Sequence, residues 1–270
     1  MTVEFDRTAR DYAAYRAGFP DEFFSRLGDM GVGLDGQRVA DLGTGTGALA
    51  RGFARRGCVV TGVDVAARML DEGRRLDREA GVHITYRVGG AEDTGLPAGC
   101  WDVVSAGQSW HWFDRPRAGS EARRLLVGGG ALLICHMDYL PLPGNVCAAT
   151  EALVLEHNPS WTMAGGTGIH ADWTLDAAAA GFVDVETFSF DVNVPYSHEQ
   201  WRGRMRSCNG VGATLSDAEV RDFDGALARL LAERFPVETL SVPHRVWALV
   251  ARAPAENRVS HPRGARRDAG

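Results

Sequence analysis

The chain has 270 residues, a length that can bury a sizeable core and still form one domain. Hydrophobic residues make up 45% and charged residues 24%, the composition of a soluble globular protein and not of a disordered or fibrous one. The formal net charge of -6 argues against a general nucleic-acid binder, and the complete absence of lysine excludes a phosphate-loop lysine, a Schiff-base lysine and a Tyr-x-x-x-Lys reductase pair.

Met1 to Arg10 carries Glu4, Asp6, Arg7 and Arg10 and has no apolar stretch of the secretory kind. Residues 1–30 read as helical, with Tyr12, Tyr15, Phe19, Phe23, Phe24 and Leu27 near helical spacing and Pro20 opening a second helix. A loop over 31–36 leads to a strand at 38–42 and the run Gly43-Thr44-Gly45-Thr46-Gly47. A helix over 48–56 stops at Gly57, followed by a strand at 58–64, a helix at 67–80 and a strand at 84–88. Next come a strand at 102–106, a helix at 117–126, the triplet Gly128-Gly129-Gly130 and a strand at 131–135. Beyond these the pattern gives helices at 145–157 and 175–180, a strand region at 183–194 and a helix at 198–206. A long helix at 216–235, with a capping box from Ser216 to Glu219, precedes a final strand at 239–251.

Strands alternating with helices at this spacing predict a parallel sheet covered on both faces. The expected division is an N-terminal helical segment (1–30), an alternating strand–helix core (31–136), a less regular part that completes the sheet (137–253) and a disordered tail (254–270). The five cysteines are odd in number, widely spaced and without a C-x-x-C pair, so neither a disulfide framework nor a zinc site is expected, and a reducing cytoplasm fits. No apolar run reaches the about 18 residues of a membrane span.

The chemistry starts at Asp41-Leu42-Gly43-Thr44-Gly45-Thr46-Gly47. Glycines between a strand and a helix let the backbone approach a nucleoside closely, and Gly43, Gly45 and Ala48 also match a dinucleotide fingerprint. Asp41 separates the two readings, because a carboxylate here repels a pyrophosphate and suits a ligand with a cationic amino group. Asp64, after Gly62-Val63, stands at a strand end, where a carboxylate can accept both ribose hydroxyls.

This glycine run resembles the first motif, D/E-x-G-x-G-x-G, of the class I S-adenosylmethionine-dependent methyltransferases. The stretch Gly90-Ala91-Glu92-Asp93, Leu96-Pro97 and Asp102-Val103-Val104 resembles that family's third element. The loop Gln108-Ser109-Trp110-His111-Trp112-Phe113-Asp114 resembles an aconitate-methyltransferase-like, small-molecule branch, as do Glu121, Arg124-Leu125-Leu126 and Tyr15-Arg16-Ala17-Gly18-Phe19-Pro20.

The resemblance implies a Rossmann-like α/β fold of seven mostly parallel strands with helices on both faces, an N-terminal helical cap and a lid insertion after strand five. It implies S-adenosylmethionine as cofactor. Asp41 would meet the methionine amino group, with Gly43, Thr44 and Gly45 lining the cofactor and Tyr15 and Arg16 closing over its methionine end. Asp64 would meet the ribose, Ala91 and Glu92 would lie beside the adenine, Gln108 would face the methyl-donor end, and Val65 and Met69 would also contact the cofactor. Many relatives carry Asp where this chain has Gly90, and Glu92 is the expected substitute.

His111 reads either as an architectural residue of its aromatic loop or as the candidate general base, with His136 and His170 behind it as bases. The expected acceptor pocket is lined by Trp110, His111, His136, Tyr139, Trp161, His170, Trp173, Trp201 and Arg204. Its aromatic character suits a small hydrophobic or aromatic metabolite, and the arginine-only, glycine-rich composition is compatible with natural-product tailoring. No metal, nucleic-acid or membrane partner is expected, and the oligomeric state is left open. A dehydrogenase is disfavoured by Asp41, and a nucleic-acid methyltransferase by the charge and by Gly107-Gln108-Ser109 after strand four. A non-catalytic cofactor binder and an enzyme of another reaction, such as a cyclisation, stay open.

Overall fold

A computed structural model describes residues 14–255. The expectations for Tyr12, for the rest of 1–13 and for the tail over 256–270 lie outside these residues. The expected α/β architecture is present. Strands β1 (Arg38–Leu42), β2 (Val59–Asp64), β3 (Thr85–Val88), β4 (Trp101–Gly107), β5 (Leu126–Tyr139), β6 (Val183–Tyr196) and β7 (Leu240–Arg252) form one sheet in the order β3-β2-β1-β4-β5-β7-β6. β7 runs antiparallel between β5 and β6, and the remaining pairs are parallel.

The helices are α1 (Asp21–Asp29), α2 (Ala48–Ala54), α3 (Ala67–Ala80), α4 (Arg115–Leu125), α5 (Val146–His157), α6 (Trp173–Ala179), α7 (His198–Arg206) and α8 (Asp217–Arg234). Their ends follow local chemistry. Pro20 stands in an extended conformation just before α1, Gly81 takes the left-handed conformation that ends α3, and Asn145 accepts the Ala148 N–H to start α5. Ser197 and Ser216 close capping boxes with Gln200 and Glu219.

β1, β4 and the middle of β5 are buried on both faces, as central parallel strands must be. One apolar cluster, with Trp110, Trp173 and Trp247, covers one face of the sheet, and a second, with Phe23, Phe24 and Phe53, covers the other. A third joins α5, α7 and α8 through Trp201, Phe223 and Leu227.

The main departure concerns β5. Its expected span was 131–135, with the glycine triplet read as a connection, but the strand runs from Leu126 to Tyr139. Gly129 absorbs a φ of 80° without ending the strand, while β7 pairs along it from Ala131 to Tyr139. Met137 to Tyr139 therefore belong to the sheet and not to the segment expected to cover the site.

Trp201, expected in the acceptor pocket, is fully buried in the third cluster, and its Nε1 donates to Thr150 Oγ1 at 3.0 Å. Trp201→Ala should cost about 3–5 kcal/mol of unfolding free energy, read from denaturant midpoints; a loss below about 1 kcal/mol would contradict this placement.

Candidate active site

The strand order reverses between β1 and β4, so a crevice opens at the carboxyl ends of the parallel strands. The four turns after β1, β2, β3 and β4 carry the residues that the sequence singles out. Asp41, near the end of β1, is buried and accepts the Ser105 hydroxyl of β4 at 2.6 Å. Burial pushes its carboxyl up to about 6, against the Ser105 and Thr44 hydroxyls, and the Asp64 charge adds to the rise.

Gly43 turns the chain at φ 63°, where an added Cβ would lie 2.6 Å from Ser109 Cβ. The Ser109 hydroxyl in turn donates to the Leu42 carbonyl at 2.9 Å, which ties the β4 turn to the β1 turn. At the end of β2, Asp64 Oδ2 accepts the Gly45 N–H and Oδ1 the Ala66 N–H, both at 2.8 Å. One carboxylate therefore fixes the glycine loop and the start of α3 together.

Past β3, Glu92 Oε1 accepts the Asp114 N–H at 2.9 Å, and its Oε2 lies 3.1 Å from where a Cβ on Gly90 would stand. Glu92 thus fills the space that a side chain at position 90 would claim. Glu121 supports this turn by accepting both the N–H and the hydroxyl of Thr94. Burial opposes its ionisation, but Arg124 and Thr94 hold it down at about 2. After β4, Gln108 is strained at φ 57°, its N–H bonds to the Cys135 carbonyl at 2.8 Å, and its Oε1 accepts from Arg16 at 3.2 Å.

These turns enclose a cavity of about 230 Å³. Asp41, Gly43, Thr44, Gly45, Asp64, Val65, Met69, Ala91, Glu92 and Gln108 all line it, as do Phe19, Ser109, Trp112 and Phe113, which the sequence reading did not assign there. A second cavity of about 130 Å³ shares Gln108 and Trp112 with the first. Arg16, His111, His136, Asp138, Tyr139, Glu151, Trp161 and Arg204 border it. Arg16 therefore lies beside the second cavity rather than the first. Tyr15 lines neither and packs on α7, so close to Gly203 that a Cβ there would lie 2.2 Å from its ring.

The aromatic residues divide by burial. Trp110, in the short 3-10 turn Trp110–Trp112, is fully buried and donates to Asp176 at 3.0 Å, whereas Trp112 is 43% exposed and reaches both cavities. Trp173 is buried and stacks on His170 with ring centroids 4.1 Å apart. Neither Trp110 nor Trp173 nor Trp201 lines either of these two cavities, because each is packed into an apolar cluster instead.

His170 meets the second cavity through Asp138, whose Oδ2 lies 2.8 Å from His170 Nε2, and His136 Nδ1 lies 3.4 Å from Asp138 Oδ1. The ligating atoms of His136, Asp138 and His170 lie within 4.8 Å of one another, a donor set with metal-ligand chemistry where the sequence predicted none. Asp138 stands two residues from His136 on β5, on the same face of the strand, a signal available in the sequence once the strand's true length is known. Burial works against the Asp138 charge, yet the two imidazoles hold its carboxyl well below the usual range. His111 is pushed down to about 3 by burial and by the nearby His136, His170 and Arg16 charges, so it is neutral at pH 7.

Residues 40–134 match the family model of a methyltransferase domain. Over 132 residues the chain is 34% identical to an uncharacterized methyltransferase of Mycobacterium bovis, covering 49% of this chain and 51% of that relative. The chain spans about half the length of the first curated relatives that it matches. In fold it is similar to a type II methyltransferase structure from Anaeromyxobacter dehalogenans, with a TM-score of 0.62 and 23% identity over 90% of this chain and 100% of that one. It is also similar to phosphoethanolamine N-methyltransferase 2 of Haemonchus contortus, solved with phosphomonomethylethanolamine and S-adenosylhomocysteine. That match has a TM-score of 0.56 and 20% identity, over 94% of this chain and 61% of the other. Residues 40–134 thus resemble a methyltransferase domain, and the chain shares the Rossmann-like fold of these methyltransferase structures.

Among the described residues no helix is long and apolar enough to cross a membrane. The tight turn at Gly43 makes a direct prediction. Gly43→Ala should lower unfolding free energy by about 1–3 kcal/mol, because it adds both positive-φ strain and a clash with Ser109; an unchanged denaturant midpoint would contradict the turn geometry.

Proposed function

We propose that the protein is an S-adenosylmethionine-dependent methyltransferase acting on a small molecule, with the cofactor in the larger cavity and the acceptor in the smaller one. The observation that carries this reading is the buried carboxylate of Asp41 beside the glycine turn, joined through Gln108 and Trp112 to a second cavity rich in polar side chains. A phosphate-bearing cofactor would meet repulsion at Asp41, whereas an ammonium group would find a partner.

In this reading Asp41 accepts the methionine ammonium. The outward lone pairs of Asp64 accept the ribose hydroxyls, while its backbone bonds keep the carboxylate from moving. Met69, Val65 and Ala91 flank the base, and Glu92, standing where a residue-90 side chain would begin, accepts the adenine amino group. Bound S-adenosylmethionine would supply an activated methyl group on a sulfonium, which an acceptor's lone pair could take while the carbon–sulfur pair stayed on sulfur.

The chain's part is then positioning and proton handling. Trp112, Tyr139 and Trp161 give the acceptor flat apolar faces, consistent with an aromatic metabolite and with natural-product tailoring. His111 is neutral, and its Nδ1 is buried without a hydrogen-bond partner, so a lone pair is free for the acceptor's proton. A group with so low a pKa is a weak base. It suffices because an acceptor hydroxyl becomes strongly acidic as its oxygen takes the methyl.

Calorimetric titration with S-adenosylmethionine and S-adenosylhomocysteine tests the reading. Binding of both near the micromolar range, lost in Asp64→Ala, supports it, and absence of binding overturns it. Affinity should fall as pH drops through about 6, because protonated Asp41 cannot meet an ammonium group, and Asp41→Asn should bind weakly with a flat pH profile. The same raised pKa makes the ligand-free protein more stable on the acid side. That contribution is complete below the ordinary carboxylate value of 3.8 and is lost as pH rises through about 6. His111→Ala should lower kcat about 100-fold at unchanged S-adenosylhomocysteine affinity; an equal loss of both would assign His111 to architecture instead.

A further inference from the structure

Helix α7 presents three arginines whose pairing runs against their burial. Arg202 and Arg206 are the more exposed, and both share Asp224, at 3.1 Å from Arg202 Nε and 2.8 Å from Arg206 Nη1. Arg204, between them, is only 7% exposed. Among the described residues it makes no ion pair, and its Nη1 is buried without a hydrogen-bond partner. Its one close charge-compensating contact is the Tyr139 ring, 5.3 Å from the guanidinium carbon.

A guanidinium taken from water without a counter-charge is costly, far beyond what one ring face returns. The two carboxylates that share its cavity are engaged elsewhere. Asp138 bonds to His170 and His136, and Glu151 accepts the Gly165 N–H at 2.8 Å. Arg204 borders the second cavity directly, together with Tyr139 and Trp161.

We propose that Arg204 is the anion-recognition residue of the second cavity, and that the molecule bound there carries a carboxylate held by its guanidinium. The planar fork matches a carboxylate with two parallel hydrogen bonds, and a cavity of about 130 Å³ suits a small, flat acid between aromatic walls. The carboxylate is a handle that orients the acceptor rather than the atom that is methylated. Naming it part of the acceptor rests on the proposed function, but the anion site itself does not.

The test uses the full chain, with and without saturating S-adenosylhomocysteine, and calorimetric titration with benzoate, its uncharged analogue benzamide and phenyl phosphate. Benzoate should bind at least about tenfold more tightly than benzamide and than phenyl phosphate, and Arg204→Met should erase the preference. Arg204→Met should also leave the thermal midpoint of the ligand-free protein equal or higher, because it replaces an unpaired buried charge with an apolar side chain of similar length. Arg204→Lys should keep part of the preference, since it retains the charge and loses the fork.

Failure of benzoate to bind, equal binding of benzamide, or tighter binding of phenyl phosphate overturns the carboxylate assignment. A lower midpoint for Arg204→Met with benzoate binding retained assigns the residue to structure and overturns it as well. Arg204-dependent benzoate binding in a protein that does not bind S-adenosylhomocysteine would leave the anion site standing and remove the methyl-transfer reading.

Discussion

A parallel sheet whose strand order reverses must leave a crevice where two neighbouring connections depart to opposite faces. Here that point falls between β1 and β4, and it carries the bond from Ser105 to the Asp41 carboxylate. The bond joins the two strands at the base of the crevice and keeps a carboxyl buried where water cannot solvate it fully. Everything above is arranged around this constraint. Gly43 turns sharply because Ser109 and Phe113 stand where a side chain would go, and Asp64 fastens the glycine loop to α3.

The two cavities are distinct in chemistry and meet at Gln108 and Trp112. Gln108 sits in a left-handed conformation that costs a non-glycine residue energy, and it is held there by its bond to Cys135 on β5 and by Arg16. Strain at such a junction fixes the direction in which the side chain points, so the residues on either side keep a constant relation. In a reaction whose donor is already activated, that constancy is the protein's main contribution.

Buried polar groups distribute unevenly between the two cavities. Around the larger one Asp64 and Glu92 accept from backbone and Asp41 from Ser105, with Thr44 Oγ1 the exception. Around the smaller one several are unsatisfied, among them His111 Nδ1, His136 Nε2 and Arg204 Nη1. A folded chain rarely keeps unsatisfied polar atoms without a use, because each costs on the order of 1–3 kcal/mol. The smaller cavity is therefore where a ligand has most to offer the protein.

The sequence by itself determined the sheet, the glycine turn and the carboxylates at the strand ends. Those features are local: a strand of five residues, a turn that only glycine can make and a capping box each write their signature within a few positions. Asp41, Gly43, Gly45, Asp64 and Glu92 were legible for that reason, and all line one cavity. The aromatic and histidine residues were legible only in part: His111, His136, Tyr139 and Trp161 border the second cavity, but Trp110, Trp173 and Trp201 do not, because burial is set by partners distant in the chain. Trp110 and Trp112 are two positions apart, yet one donates to Asp176 inside the core and the other borders both cavities. The full length of β5 depended on β7, more than 100 residues away, and with it came Asp138 beside His136. Only the tertiary structure could leave Arg204 buried and, among the described residues, without an ion pair while Arg202 and Arg206 shared Asp224, since a helix alone offers all three the same solvent.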